Sequence, residues 1–193
     1  MVLAEKNEAL IDTVNALADA NAEKDSYKYR SEIDALTGVF NKAAIENFAR
    51  NTLKGLLPDT TDALFIIDLD HFKEANDTRG HQYGDMILVN FAKALKSIAR
   101  EGDAVGRFGG DEFVLYRRHA NIKELPLLAE RLRAAAHALD TEQSPPITAS
   151  IGVAVAPANG KEYDDLFRAA DRALYYVKEH GRDNYRIAAP AKK

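Results

Sequence analysis

Two glycines, Gly109-Gly110, separate two short segments, 103–108 and 112–116, that read as strands. This pattern predicts an antiparallel hairpin. Apolar periodicity elsewhere predicts helices over 43–54, 71–79, 82–99, 123–138 and 163–179, and strands over 63–67, 147–155 and 184–187. Helices and strands therefore alternate along the chain, and the hairpin interrupts that alternation. This favours an α+β fold with a mixed, mainly antiparallel central sheet flanked by helices, rather than a doubly wound parallel sheet.

The first 33 residues contain neither glycine nor proline, and leucines recur every seven residues at Leu3, Leu10 and Leu17. This spacing predicts an N-terminal helix with a weak heptad repeat, which is either a coiled coil or a solvated linker helix. The turn sequence at 34–38 ends it. We therefore expect a helix over 1–33, a folded domain over 34–188 and a short tail over 189–193.

Charge and composition narrow the functional classes. The formal net charge of −4 provides no overall basic field for nucleic acid. The absence of cysteine excludes thiolate zinc sites and fits a cytoplasmic protein. No apolar run reaches the roughly 18 residues of a membrane helix, and no signal-peptide pattern opens the chain. We expect a cytoplasmic domain, with any sensor or membrane segment outside this sequence.

Three acidic residues stand at predicted strand ends or turns: Asp68, Asp111 and Glu112. Mg²⁺ is typically held by one or two carboxylates plus substrate phosphates, and Asp68 and Asp111 suit that role if their strands are neighbours. Regular alternation would send Asp111 and Glu112 to opposite faces, but a glycine turn relaxes that rule. Taken singly, each acid is better explained as a solvated or capping residue.

A predicted strand runs directly into a helix near residue 70. The free amides of that helix's first turn, near His71, Phe72 and Lys73, form an anion site, to which Lys73 adds a positive charge. Asn76 and Asp85 lie downstream. A carboxylate that accepts from two adjacent N–H donors suits the edge of guanine better than that of adenine.

Two cations, Lys178 and Arg182, flank the end of the last predicted helix. They are either favoured there by the helix dipole or form a clamp on a polyphosphate. No two of the five histidines stand at metal-ligand spacing, so we assign none to a metal.

A family resemblance joins these features. The segment Arg107-Phe-Gly-Gly-Asp-Glu-Phe113 contains the signature of the GGDEF-type diguanylate cyclases, and the chain resembles that family in order over residues 34–187. The matching motifs are Asp34-Ala-Leu-Thr-Gly38-Val-Phe-Asn41, the segment 68–85, Ser150-Ile-Gly-Val153, and Ala170-Asp-Arg-Ala-Leu-Tyr175 with Lys178 and Gly181-Arg182. The departures are Lys42, where the family usually has arginine, and Asp183, between Gly181-Arg182 and Asn184.

The resemblance implies a fold similar to nucleotide-cyclase and polymerase palm domains. It also implies a bacterial signalling enzyme that condenses two GTP molecules into cyclic di-GMP with the help of Mg²⁺ or Mn²⁺. Because the product needs two nucleotides head to tail, we expect a homodimer whose pairing the N-terminal helix sets, under an upstream sensor. The alternatives are a non-catalytic receptor for cyclic di-GMP or GTP, which the intact signature disfavours, and an interaction module that works through the coiled coil.

The resemblance also assigns roles to residues. Asp68, the carbonyl of Leu69 and Asp111 would hold the metal, and Glu112 would assist a second metal or the 3′-hydroxyl. Asp111, Glu112 and Lys73 are the expected catalytic residues. The expected substrate-binding residues are His71, Phe72, Lys73, Asn76, His81, Asp85, Gly110, Lys178 and Arg182.

A second site is expected from Arg100-Glu-Gly-Asp103, which resembles the family's RxxD inhibitory motif for a stacked pair of product molecules. Arg131, on the next helix, is expected to reach the same ligand. On spacing alone, an ordinary surface ion pair would be the better explanation of Arg100 and Asp103.

Overall fold

The structure is a computed structural model that describes residues 31–139 and 145–190. The predicted N-terminal helix lies almost entirely outside these residues, as does the end of the predicted tail. Within the two described ranges, no helix is both long enough and apolar enough to cross a membrane.

The described residues form six strands and five α-helices. The strands are β1 (Phe40–Asn41), β2 (Asp62–Asp70), β3 (Ala104–Gly109), β4 (Glu112–Arg117), β5 (Thr148–Ala156) and β6 (Tyr185–Ile187). The helices are α1 (Lys42–Lys54), α2 (Phe72–Arg79), α3 (His81–Ile98), α4 (Leu125–His137) and α5 (Tyr163–Glu179), with a 3₁₀ turn over Ile122–Glu124.

All six strands form one sheet in the order β1-β3-β4-β2-β5-β6. The inner pairs β3–β4, β4–β2 and β2–β5 are antiparallel, whereas the outer pairs β1–β3 and β5–β6 are parallel. The predicted α+β fold with a mixed, mainly antiparallel sheet is therefore confirmed.

Strand β2 is buried along its whole length because helices cover both faces of the sheet. Phe65, Ile67 and Leu69 pack in the core cluster with α3 and α4, whereas Leu64 and Ile66 pack in the cluster with α1 and α5. Side chains alternate between faces along a strand, so Asp68 continues the row that faces α1 and α5.

The structure differs from the predicted boundaries at two places that matter for the site. Strand β2 runs on to Asp70, beyond its predicted end, because Asp70 is buried and accepts 2.7 Å hydrogen bonds from the hydroxyls of Thr148 and Ser150 on β5. The hairpin turn consists of Gly110 and Asp111, since β3 continues through Gly109. The two-residue strand β1 was not predicted, because so short a segment has no periodicity.

Close packing of α5 on β5 generates a stability prediction. A Cβ on Gly152 would lie 2.0 Å from the carbonyl oxygen of Ala170 and 2.5 Å from the amide nitrogen of Leu174, both backbone atoms of α5. We expect Gly152→Ala to lower the free energy of unfolding by about 3 kcal/mol, the upper end for overpacking. The control Gly55→Ala, whose nearest neighbour would lie at 3.6 Å, should change it by less than about 0.5 kcal/mol. Urea titration measures both, and equal stability of the two variants would contradict the prediction.

Candidate active site

The register of β2 against β4 places Asp68 directly opposite Glu112. Directly opposed residues of an antiparallel pair project from the same face of the sheet. Asp111 occupies the turn just before Glu112, and its carbonyl accepts a 3.3 Å hydrogen bond from the amide of Leu69. The structure thus brings together the three acids and the Leu69 backbone, which the sequence had assigned to one site.

Asp68 is the most buried of the three acids, and it pairs with a lysine. Its side chain is 11% exposed, and the Nζ of Lys178 lies 2.7 Å from its Oδ2. Burial, together with the negative charges of Asp111 and Glu112, raises the pKa of Asp68 to about 6, although Lys178 acts in the opposite direction. Lys178, predicted as a phosphate ligand, is therefore a partner of Asp68 in this structure.

These residues fit a hard divalent cation. Asp68, Asp111 and Glu112 are neighbours, but no three acidic or histidine side chains in the described part of the chain are arranged to hold a metal ion by themselves. That is compatible with Mg²⁺, which uses one or two carboxylates and completes its coordination with water and phosphates. The raised pKa of Asp68 comes first from burial and then from the negative charges of Asp111 and Glu112, and a bound cation would favour the ionised carboxylate.

Arg107 braces the turn that carries Asp111. Its Nε and Nη2 donate to the carbonyl of Gly110 at 2.9 and 2.7 Å, and its Nη1 lies 3.3 Å from Oδ1 of Asp34. Asp34 also accepts from the amide and hydroxyl of Thr37. Burial alone would raise the pKa of Asp34, but the Thr37 hydrogen bonds and the Arg107 charge together hold it below its usual value. The sequence alone gave neither Asp34 nor Arg107 a role.

The first turn of α2 follows β2 without a side-chain cap. His71, the N-cap residue, has a left-handed backbone with φ of 61°, and its Nδ1 lies 2.6 Å from Oε2 of Glu74. Phe72 packs in the core, so only its backbone is available to a ligand. The Lys73 side chain is exposed in this uncapped first turn, beside the acidic Glu74, and its contact with a phosphate stays a prediction.

Helices α2 and α3 meet at Gly80 and bring Asn76 near Asp85. A Cβ on Gly84 would lie 2.0 Å from Oδ1 of Asn76, so the Asn76 side chain packs against the first turn of α3. Asp85 follows Gly84, and His81 begins the same turn. The sequence signal for this juxtaposition was Gly84, because any larger residue there would displace Asn76.

Arg182 lies in the turn after α5, with a φ of 60°. Its side chain is exposed and forms no ion pair within the described residues. Glu112 and Lys178 line a cavity of about 580 Å³ along α5, together with the exposed ring of Tyr175.

The residues of the expected inhibitory site lie together at the other end of β4. Arg100 and Arg131 line one cavity of about 130 Å³, and Arg100 Nη2 donates to the carbonyls of Arg118 and His119. The Asp103 carboxylate is fully buried, lies 3.8 Å from Nε of Arg100, and accepts from the backbone amides of Arg100 and Arg118. In this structure Asp103 therefore shapes the turn after α3.

Two carboxylates that the sequence left without a role belong to the surroundings of the site. Asp70 is buried two residues after Asp68. The sequence signal for its position was the alternation Asp68-Leu69-Asp70, because alternate residues of a strand lie on the same face of the sheet. Asp183, noted only as a departure from the family pattern, bonds to Arg133 and His137 on α4. No local pattern reveals those partners, which are about fifty positions away.

The fold and the site define a domain with an acidic centre paired with Lys178 and followed by an uncapped helix start. Residues 31–184 match the family described as diguanylate cyclase, GGDEF domain. The chain belongs to the GGDEF domain family.

Individual relatives agree with this assignment. The chain is 36% identical over 159 residues to Probable diguanylate cyclase DgcC of Escherichia coli (strain K12), a match that covers 81% of this chain but only 43% of that protein. The solved coiled coil and GGDEF domain of DgcB from Caulobacter crescentus, in complex with c-di-GMP, aligns with a TM-score of 0.77 at 25% identity, covering 95% of this chain and 98% of that one. Diguanylate cyclase SiaD from Pseudomonas aeruginosa, in complex with its activator SiaC, aligns with a TM-score of 0.76 at 29% identity, covering 96% and 76%.

The raised pKa of Asp68 gives a pH-dependent prediction for the metal-free protein. Between the ordinary pKa of 3.8 and about 6, folded Asp68 keeps a proton that the unfolded chain gives up. Its stabilising contribution is therefore present below about pH 4 and is lost as the pH rises through 6. Asp68→Asn cannot ionise, so its stability relative to wild type should rise by about 1–3 kcal/mol from pH 4 to pH 7.

The measurement is the free energy of unfolding by urea, at both pH values, with a chelator present. A stability difference between Asp68→Asn and wild type that stays constant from pH 4 to pH 7 would show that Asp68 ionises normally.

Proposed function

We propose that this chain is a diguanylate cyclase domain, which condenses two GTP molecules into cyclic di-GMP and releases two pyrophosphate ions. The observation that carries the proposal is the register that sets Asp68 opposite Glu112, with Asp111 in the adjoining turn and Lys178 against Asp68. Family membership and the similarity to DgcC support the same activity.

The acidic centre suits nucleotidyl transfer. Bound Mg²⁺ or Mn²⁺ would neutralise phosphate charge and lower the pKa of the attacking hydroxyl. Asp68, the carbonyl of Leu69 and Asp111 would hold that ion, and Glu112 would assist a second ion or orient the 3′-hydroxyl. Arg107 keeps the turn in place, so the Asp111 carboxylate is positioned before the substrate arrives.

Substrate binding divides between two ends of the site. At one end, the side chains of Asn76 and Asp85 read the guanine edge, and His81 lines the pocket. At the other end, the amides at His71, Phe72 and Gly110 and the side chain of Lys73 face the phosphates. Lys178 and Arg182 add two cations, with Lys178 moving from Asp68 to a phosphate once a metal ion neutralises that carboxylate.

The reaction joins two substrates, so the active form is a homodimer in which each domain contributes one nucleotide. The 3′-hydroxyl of one GTP attacks the α-phosphorus of the other, and pyrophosphate leaves. A two-fold arrangement lets both bonds form by the same geometry. In the cytoplasm, residues 1–33 would set this pairing in response to an upstream sensor.

The test of the proposed activity is product formation from GTP and Mg²⁺, followed by chromatography. Wild type should form cyclic di-GMP, and ATP at equal concentration should not compete, because Asp85 is matched to guanine. Glu112→Gln and Asp111→Ala should each lower the rate at least about 100-fold while the melting temperature stays near that of wild type. The variant Asp59→Ala, at an exposed loop residue between α1 and β2, is the matched control.

Full activity in Glu112→Gln or Asp111→Ala would refute the assigned centre. A wild-type protein that binds cyclic di-GMP or GTP tightly but forms no product would favour the receptor alternative.

We also propose that the product inhibits the enzyme at the cavity lined by Arg100 and Arg131. Three arginines, Arg100, Arg117 and Arg131, line this cavity, and guanidinium forks suit phosphates and guanine edges. Asp103 holds the backbone of Arg100 and would accept from guanine N–H groups once exposed by the ligand. Product bound there would link domains and keep the two half-sites apart, which couples binding to activity.

Arg100→Ala should leave the initial rate within about twofold of wild type but prolong linear product accumulation, because the variant lacks a guanidinium group at the inhibitory cavity. Calorimetry without GTP should show cyclic di-GMP binding to wild type and at least about tenfold weaker binding to Arg100→Ala. Equal affinity in the two proteins would leave Arg100 and Asp103 as an ordinary ion pair.

A further inference from the structure

The turn that follows α5 has an unusual backbone. Arg182 and Asp183 are consecutive residues with φ of 60° and 43°. Left-handed backbone is strained for residues other than glycine, so such a pair persists only where surrounding contacts hold it in place. The conformation also decides where the Arg182 side chain leaves the backbone.

Five contacts from three elements hold this turn, one of which is a 3.4 Å hydrogen bond from Nη1 of Arg133 to the carbonyl of Asp183. The amide of Arg182 donates to the carbonyl of Val177 on α5 at 3.0 Å, and the amide of Asp183 donates to Oδ2 of Asp70 at 3.1 Å. From α4, Nη1 of Arg133 donates to Oδ1 of Asp183 at 2.9 Å, and Nε2 of His137 lies 2.8 Å from the same oxygen. Asp183 therefore takes part in four of the five contacts, two of them through its carboxylate.

Asp70 connects this turn to the acidic centre. It is buried at the end of β2, two residues after Asp68, and accepts from the hydroxyls of Thr148 and Ser150 as well as from the amide of Asp183. The strand end that carries Asp68 and the turn that carries Arg182 are thus fixed to one carboxylate.

We propose that Asp183 is a positioning residue for polyphosphate binding, because it locks the turn in the conformation that directs Arg182 toward the phosphates of the bound nucleotide. The inference rests on the nucleotide site of the proposed function. Arg182 itself is exposed and unpaired within the described residues, so nothing but its backbone fixes its direction. Fixing that direction in advance lowers the entropy lost when the guanidinium binds a phosphate.

The charges around Asp183 fit a structural clamp better than direct ligand binding. Its single carboxylate already bonds to Arg133, which is also paired with Glu130 at 2.9 Å. A negative side chain beside a triphosphate would repel it unless its charge were compensated, and Arg133 supplies that compensation. Asp183 therefore acts through Arg182 and does not touch the nucleotide.

The experiment compares two probes by calorimetry with Mg²⁺: guanosine 5′-(α,β-methylene)triphosphate, whose α–β linkage the reaction cannot break, and GMP, which lacks the outer phosphates. We expect Asp183→Ala to weaken binding of the triphosphate analogue about tenfold and to leave GMP binding within about twofold. Arg182→Ala should give the same pattern. The double variant should lose little more than either single one, because both substitutions remove one interaction.

Two further variants separate positioning from general stability. Arg133→Lys keeps the Asp183 side chain but loses the geometry of the bond between residues 133 and 183. It should therefore also weaken binding of the triphosphate analogue while leaving GMP binding unchanged. Asp164→Ala removes a carboxylate on α5 that Arg50 of α1 contacts at 2.6 Å, and it should change neither affinity.

The proposal is overturned if Asp183→Ala binds the triphosphate analogue as tightly as wild type. It is also overturned if GMP and the analogue weaken equally, or if the losses from Asp183→Ala and Arg182→Ala add in full. None of these readouts depends on turnover. Absence of cyclic di-GMP formation alongside the expected binding pattern would therefore reject the proposed activity and keep the role of Asp183.

Discussion

The pairing of β2 with β4 is the constraint on which the rest of the site depends. Asp68 lies opposite Glu112 only in this register, and a slip of one residue would move Asp68 to the opposite face of the sheet. Burial specifies the register, because Ile66 and Val114 belong to one core cluster and Ile67 and Phe113 to the other. The same hydrophobic packing that stabilises the fold therefore aligns the acids.

This alignment places the half-buried Asp111 and Glu112 beside the buried carboxylate of Asp68. The raised pKa of Asp68 shows that the folded protein holds the ionised group at a cost in the absence of a cation. Lys178 offsets part of that cost, and Arg107 pairs with Asp34 while holding the turn before Glu112. Sites built for ligands commonly retain such unfavourable groups, because function and stability select different residues.

Local patterns were enough to predict most of the architecture. The apolar repeat along α5 and the glycine pair of the hairpin are local features of the chain, so both are visible in the sequence. The end of β2 was not, because Asp70 is kept in the strand by hydroxyls of β5 about eighty positions away. The partners of Asp183 are equally remote, and the contact between Lys178 and Asp68 depends on how α5 crosses the sheet. The sequence therefore indicated which residues carry charge, whereas the fold determines which of them meet.

The most direct test of this account is where a divalent cation binds. A crystal of the domain grown with Mn²⁺ and the triphosphate analogue would reveal the ion by its anomalous scattering. The account predicts a peak in contact with the carboxylates of Asp68 and Asp111, at about 2.1 Å. Manganese bound to the phosphates with neither carboxylate as a ligand, or found only at a distant surface, would contradict it.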